Sequence, residues 1–173
     1  MKQIWTSLVL ATSLAGCAGM GVNPAGQSAT ARLEPTKGST ASGIVEFHQR
    51  SGAVLVTATI TGLAPNQEHG FHLHEKGDCS SGDGMSAGGH WNPDNMPHGP
   101  QSAAHHAGDM PSLKADGSGT AKASFTLANR TVADGMRSVV GRGLIVHKDP
   151  DDYTTQPTGN AGARVACAVV RPA

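Results

Sequence analysis

This sequence predicts an all-β domain, on three observations. No stretch after Cys17 carries helical periodicity of useful length. Short segments of alternating apolar and polar residues recur instead, punctuated by Gly, Pro, Asn and Asp. Glycine is abundant, with 23 residues, while aromatics make up only 3%, which implies many turns around an aliphatic core. About eight strands and two long functional loops follow, and an antiparallel sandwich or barrel is the natural class.

The first sixteen residues read as a targeting segment. Lys2 gives a positive start, and residues 4–14 are mostly apolar but far too short to span a bilayer as a structural helix. The run Leu14-Ala15-Gly16-Cys17 resembles a bacterial lipobox, in which small residues precede a lipid-bearing cysteine. Cleavage before Cys17 leaves a chain long enough for one domain with a real core. Loss of Lys2 leaves 12 Lys+Arg against 13 Asp+Glu, a net charge of −1. There is no basic block, so nucleic acid is not an expected partner. Residues 17–29, small and breaker-rich, read as a lipidated cysteine and tether, and the domain spans 30–173.

Strands are expected at 30–34 (weak), 43–47, 53–61, 69–74, 112–115, 119–127, 143–147 and 164–170. The clearest is 53–61, where Val54, Val56, Ala58 and Ile60 share one face. Asp116-Gly117 signals a hairpin turn. The loops, 75–108 and 148–163, are dense in Gly, Asp and Pro. A structureless segment as long as the first is suspect unless it has work to do. Cys79 and Cys167 form an even pair in an exported chain, so a disulfide is expected. The 88-residue loop they would close (167 − 79) is worth roughly 4–5 kcal/mol in the chain-entropy view.

Six of the nine histidines make a metal constellation with one carboxylate: His72 and His74 in an H-x-H pair, then His90, His98, His106, Asp109 and finally His147. On a strand, residues two apart face the same way, so His72 and His74 can address one ion while Phe71 and Leu73 enter the core. Alone, such a pair could be a surface patch. A metal-buffering tract would show clustered repeats, whereas these spacings are irregular and spread over a fold. Three histidines and a carboxylate suit tetrahedral zinc, and four imidazoles suit tetragonal Cu(II). Six histidines supply both sets only if one ring is shared. Ligand type alone leaves the metals open. His105 reads as a solvated loop residue, and His48 and His69 as ordinary satisfied histidines.

Five motifs in order carry a resemblance: Gly70-Phe71-His72-Leu73-His74-Glu75, Ala87-Gly88-Gly89-His90-Trp91-Asn92-Pro93, His106-Ala107-Gly108-Asp109, Gly141-Arg142 through Val146-His147, and Gly159-Asn160-Ala161-Gly162-Ala163-Arg164-Val165-Ala166-Cys167. Over about residues 30–171 the chain resembles copper,zinc superoxide dismutases of the bacterial exported type. The resemblance implies an eight-stranded Greek-key β-barrel, an Ig-like sandwich. It implies copper ligands His72, His74, His90 and His147, and zinc ligands His90, His98, His106 and Asp109, with His90 as bridge and proton carrier. It implies that Arg164 draws superoxide to copper, that Asp151 ties His72 to His98, and that the Cys79–Cys167 disulfide anchors the loop beside Arg164. The segment from Cys79 to His90 is longer, and that from His147 to Arg164 shorter, than in eukaryotic members.

The implied reaction is dismutation of superoxide, with one copper and one zinc ion per chain. A non-catalytic copper or zinc carrier on the same barrel is the rival. The expected location is the bacterial envelope, as a periplasm-facing lipoprotein held to the outer membrane by lipid alone. Ala18 after Cys17 is not an Asp retention signal. Oligomeric state is open, a homodimer being one option.

Overall fold

The computed structural model describes residues 26–173. Cys17, the targeting segment and most of the tether lie outside them. The described residues form ten strands: β1 (Ser28–Pro35), β2 (Ser42–Arg50), β3 (Ala53–Thr61), β4 (Glu68–His69), β5 (Phe71–His74), β6 (Leu113–Lys114), β7 (Ala121–Ala128), β8 (Gly143–His147), β9 (Arg164–Val169) and β10 (Arg171–Pro172). The one helical element among the described residues is a 3-10 turn, Met85–Ala87. β1 begins at Ser28, inside the expected tether, because Ser28 and Ala29 pair with His48 and Phe47 of β2.

The main sheet runs β5-β8-β9-β1-β2-β3-β7, with β10 paired to β1 and every pair antiparallel. A bridge between Ala115 and Ala121 joins β6 to β7, and β6 pairs with β4. β4 continues through Gly70 into β5, the far edge of the main sheet, so the curled sheet closes on itself as a barrel. The chain crosses the barrel end twice, from β3 to β4 and from β7 to β8, which makes the topology Greek key. The segment expected as one strand at 69–74 is thus two, because the chain changes partners at Gly70. His69 pairs with Leu113 of β6, and Phe71 with Val146 of β8.

Inward alternation builds the core. Val54, Val56, Ala58 and Ile60 of β3 are buried, and Ala29, Ala31 and Leu33 of β1 meet Val45 and Phe47 of β2. At the Asp116 turn, Oδ1 of Asp116 accepts the Ser118 and Thr120 amides at 2.8 and 3.0 Å. β5 and β8 differ from the other strands in being buried on both faces. Phe71, Leu73, Leu144 and Val146 enter the barrel. Their alternates, His72, His74, Ile145 and His147, point outward beneath the two long loops.

The 75–108 loop is ordered partly by backbone pairing along the free edge of β5. The Leu73 amide donates to Gly108 O at 2.8 Å, and Leu73 O accepts the Trp91 amide at 2.9 Å. The Glu75 amide donates to Gly89 O at 3.0 Å. These bonds set His90 opposite His74 and Asp109 opposite His72. The disulfide between Cys79 and Cys167 pins the same loop to β9, and its half-cystines pack against Ala87 and Ile145.

Candidate metal centre

β5 and β8 present His72, His74 and His147 on one outer face, and the loop brings His90 over them. One nitrogen from each ring meets the others within 4.8 Å, and all four residues are buried. In three rings the second nitrogen is tied down. His74 Nδ1 donates to Gly88 O at 2.9 Å, and His147 Nδ1 to Gly162 O at 3.2 Å. His72 Nε2 donates to Asp151 Oδ2 at 2.7 Å. Carbonyl and carboxylate oxygens only accept, so these nitrogens carry the protons and the opposite nitrogens carry lone pairs. Those opposite atoms are His72 Nδ1, His74 Nε2 and His147 Nε2. Together with His90 Nε2 they are buried and have no hydrogen-bond partner. Four converging lone pairs without a donor are an expensive arrangement for a protein, and one that a cation completes.

The second cluster, His90, His98, His106 and Asp109, shares the His90 ring. The Nδ1 atoms of His90, His98 and His106 lie 2.9, 3.0 and 3.3 Å from Asp109 Oδ1. His106 Nδ1 and His90 Nδ1 are 3.4 Å apart. A tetrahedral zinc ion with ligand bonds near 2.0–2.1 Å would separate its ligands by roughly 3.3 Å. His98 Nδ1 makes no hydrogen bond despite its short contact with the carboxylate. It faces the common centre instead. Asp109 Oδ2 accepts the His106 and Gly99 amides at 2.8 and 3.1 Å, which leaves Oδ1 for that centre. The residues fit copper in the first cluster and zinc in the second.

Asp151 spans both clusters. Its Oδ1 accepts His98 Nε2 at 2.8 Å and the Tyr153 amide at 2.8 Å, while Oδ2 holds His72. Gly159 permits this. Its φ is +65°, and a Cβ there would lie 1.8 Å from Asp151 Oδ1 and 2.5 Å from His98 Nε2.

Electrostatics favour bound cations. Burial pulls His72 down to about 4 against the pull of Asp151, and His147 down to about 3, so both rings stay neutral ligands near pH 7. Burial and the neighbouring His90 likewise hold His74 well below the ordinary range. Burial alone would raise Asp109, but the hydrogen bond from His90 and the close approach of the His98 ring hold it well below the carboxylate range. Burial would also lower His98, yet Asp109 and Asp151 together raise it to about 9. Two carboxylates around one buried ring call for positive charge, and a divalent ion at Nδ1 meets that need.

A β-bulge sets Arg164 at the first cluster. The β8–β9 register slips between Val146 and His147, so Val146 faces Ala166 while His147 faces Arg164. The half-buried guanidinium donates from Nη1 to Gly84 O and from Nη2 to Gly88 O, both at 2.6 Å. Gly88 O therefore receives both Arg164 and His74. The Arg164 charge also helps to lower His74 and His147.

His105 joins neither cluster and donates from Nδ1 to Ala103 O at 2.7 Å. His48 lies 3.8 Å from Glu46. His69 departs from the expectation of a fully satisfied histidine. Nδ1 donates to His147 O at 2.9 Å, but the buried Nε2 has no partner. Sequence reasoning missed Gln156, whose side chain accepts the His98 amide at 2.8 Å and donates to His98 O at 2.9 Å. It also missed Arg130, which donates to Ala107 O at 2.9 Å and lies over the Trp91 ring. No local motif marks either residue.

A family model described as "Copper/zinc superoxide dismutase (SODC)" matches residues 41–170. "Superoxide dismutase [Cu-Zn]" of Paramecium bursaria Chlorella virus 1 is 41% identical over 151 residues, covering 83% of this chain and 77% of that protein. "Superoxide dismutase [Cu-Zn] 2" of Aquifex aeolicus (strain VF5) is 37% identical over 150 residues, covering 83% and 86%. "Superoxide dismutase [Cu-Zn] 1" of the same organism is 38% identical over 136 residues, covering 75% and 79%.

Proposed function

This chain belongs to the copper/zinc superoxide dismutase family, and on that premise we propose that its two clusters form one binuclear site. His72, His74, His90 and His147 would hold copper, and His90, His98, His106 and Asp109 would hold zinc. The reaction converts two superoxide anions and two protons into dioxygen and hydrogen peroxide. The observation that carries the assignment is the set of four buried nitrogen lone pairs, convergent and without donors, on rings three of which are fixed at the opposite nitrogen.

Copper would supply reversible one-electron chemistry, and zinc, which has no redox role, would be held by the His90, His98, His106 and Asp109 cluster and would keep the loop in place. His90 offers Nδ1 to the Asp109 cluster and Nε2 to the other. Nε2 can take up a proton while Nδ1 stays engaged, and can return that proton to the forming peroxide. Arg164 provides a permanently charged, planar donor beside the first cluster, suited to a small anion. Gly84 O and Gly88 O hold the guanidinium still, so little is lost in ordering it when the anion arrives.

A metal carrier on the same barrel is the rival. A guanidinium fixed beside the copper-type cluster favours turnover, because a carrier has no use for an anion guide there. Metal analysis of the purified domain, paired with a superoxide assay, decides between them. One copper and one zinc per chain with rapid dismutation is expected. A fully loaded protein no faster than free copper would favour the carrier.

For location, we propose an envelope lipoprotein anchored through Cys17, outside the described residues. Leu14-Ala15-Gly16-Cys17 motivates it, and the disulfide supports an oxidising compartment. Cys17→Ser should leave the protein soluble or unprocessed, as read by membrane fractionation. Wild-type protein found soluble, unlipidated and cut elsewhere would overturn the anchor.

A further inference from the structure

The carbonyls of Gly84 and Gly88 fix the far end of Arg164. Its near end is gripped by the turn between β1 and β2. Thr36, at the start of that turn, is buried. Its Oγ1 donates to the Arg164 carbonyl at 2.6 Å, and its amide donates to Val165 O at 3.1 Å. The next residue, Lys37, donates its amide to Gly82 O at 2.8 Å. Gly82 lies two residues before Gly84, whose carbonyl receives the guanidinium. One turn therefore holds both the strand that carries the arginine and the loop that receives it. The turn is itself braced, since the Ser39 amide donates to Thr36 O at 3.0 Å and Ser39 Oγ accepts the Ala41 amide at 3.0 Å. None of its residues belongs to either metal cluster.

We propose that Thr36 is a positioning residue for Arg164, setting the guanidinium's place over the copper-type cluster through the hydroxyl bond to the Arg164 backbone. This rests on the reading of Arg164 as an anion guide. Arg164 opens β9 where the bulge offsets the register, so the sheet ladder alone defines its backbone less firmly than that of an interior strand residue. The Thr36 hydroxyl supplies the missing constraint. Small displacements of a charged group at a reacting centre are felt strongly in rate.

The test uses the copper- and zinc-loaded protein and three variants. Thr36→Val keeps shape and removes the donor, Thr36→Ser keeps the donor, and Arg164→Ile removes the guide. Readouts are the superoxide rate per bound copper and the affinity for azide, a small anion titrated optically at Cu(II). Thr36→Val should lower the rate and weaken azide binding by about three- to tenfold each, with metal content unchanged. Thr36→Ser should restore most of both, and Arg164→Ile should lose more than Thr36→Val. If Thr36→Val does not accumulate as folded protein, Thr36→Ala replaces it. Wild-type rate and azide affinity in the hydroxyl-less variant, while Arg164→Ile is impaired, would overturn this inference alone. So would Thr36→Ser as impaired as Thr36→Val, since packing would then be the cause. Full rate and azide affinity in Arg164→Ile would overturn the anion-guide reading and the inference with it.

Discussion

Arg164 is the residue whose removal should alter chemistry without altering structure. It stands in neither metal cluster, and beyond its pairing with His147 in the β8–β9 ladder it bonds two loop carbonyls through the side chain and the Thr36 hydroxyl through the backbone. Arg164→Ile should leave both metals bound and lower the second-order rate for superoxide by one to two orders of magnitude. One charge-assisted contact of about 1.5–3 kcal/mol corresponds to a loss of that size. Arg164→Lys should lose less, because charge survives while the planar fork does not. The wild-type rate should fall as salt rises, and Arg164→Ile should flatten that fall. Stopped-flow measurements across ionic strength check both, and an unchanged salt response would remove Arg164 from the role. At this scale the sequence was legible where function rests on side-chain identity. His72, His74, His90, His98, His106, Asp109 and His147 all stood out as metal-binding types. The carbonyls of Gly88 and Gly162 did not, because any residue owns a carbonyl and only the fold aims it.

Elements decide whether those side chains meet. The 148–163 loop supplies Asp151 and then doubles back, so that Gly159 sits against the Asp151–His98 contact. Gly159→Ala should force that contact open. Both the positive φ and the missing space oppose a Cβ there. Loss of a partner that orients a ligand ring typically weakens metal binding by about 10–100-fold. Zinc release to a competing chelator should therefore quicken, with the rate at full metal loading less affected. Unchanged zinc retention in Gly159→Ala would show that the contact does not matter for binding. The alternation of β3 was readable because one of its faces is core and the other solvent. β5 and β8 were harder, since both faces are covered. The break at Gly70 was invisible because it marks a change of pairing partner, not a turn. The pairing of the 75–108 loop along β5 was likewise hidden, because backbone bonds carry that edge and its sequence shows no strand pattern.

Across the whole molecule, the metal-free protein should be acid-labile in a defined window. His72 and His147 protonate at about 6.5 when unfolded but only at about 4 and 3 when folded. Between these values the unfolded chain binds more protons, so stability rises with pH and is lost as pH falls from about 6.5 toward 4. Each proton bound only by the unfolded chain costs about 1.4 kcal/mol per pH unit. His98, raised to about 9, works oppositely, but its contribution is complete below 6.5 and does not mask this window. Denaturant midpoints of the metal-free domain at pH 7, 6, 5 and 4 should fall steadily, and a flat series would contradict the burial of neutral rings. The barrel class was legible because turns and alternation are local. Its closure through β4 and β6 was not, because two-residue strands leave no periodicity to read. The shared ring of His90 has a final consequence for how the molecule fills. Nδ1 and Nε2 belong to one π-system, so a cation on either nitrogen changes the basicity of the other. Under the proposed binuclear assignment, the two occupancies would form a thermodynamic cycle in which zinc alters copper affinity by the same factor as copper alters zinc affinity. Order of loading can change the path but not that factor, and a chelator that strips one ion must shift the hold on the other.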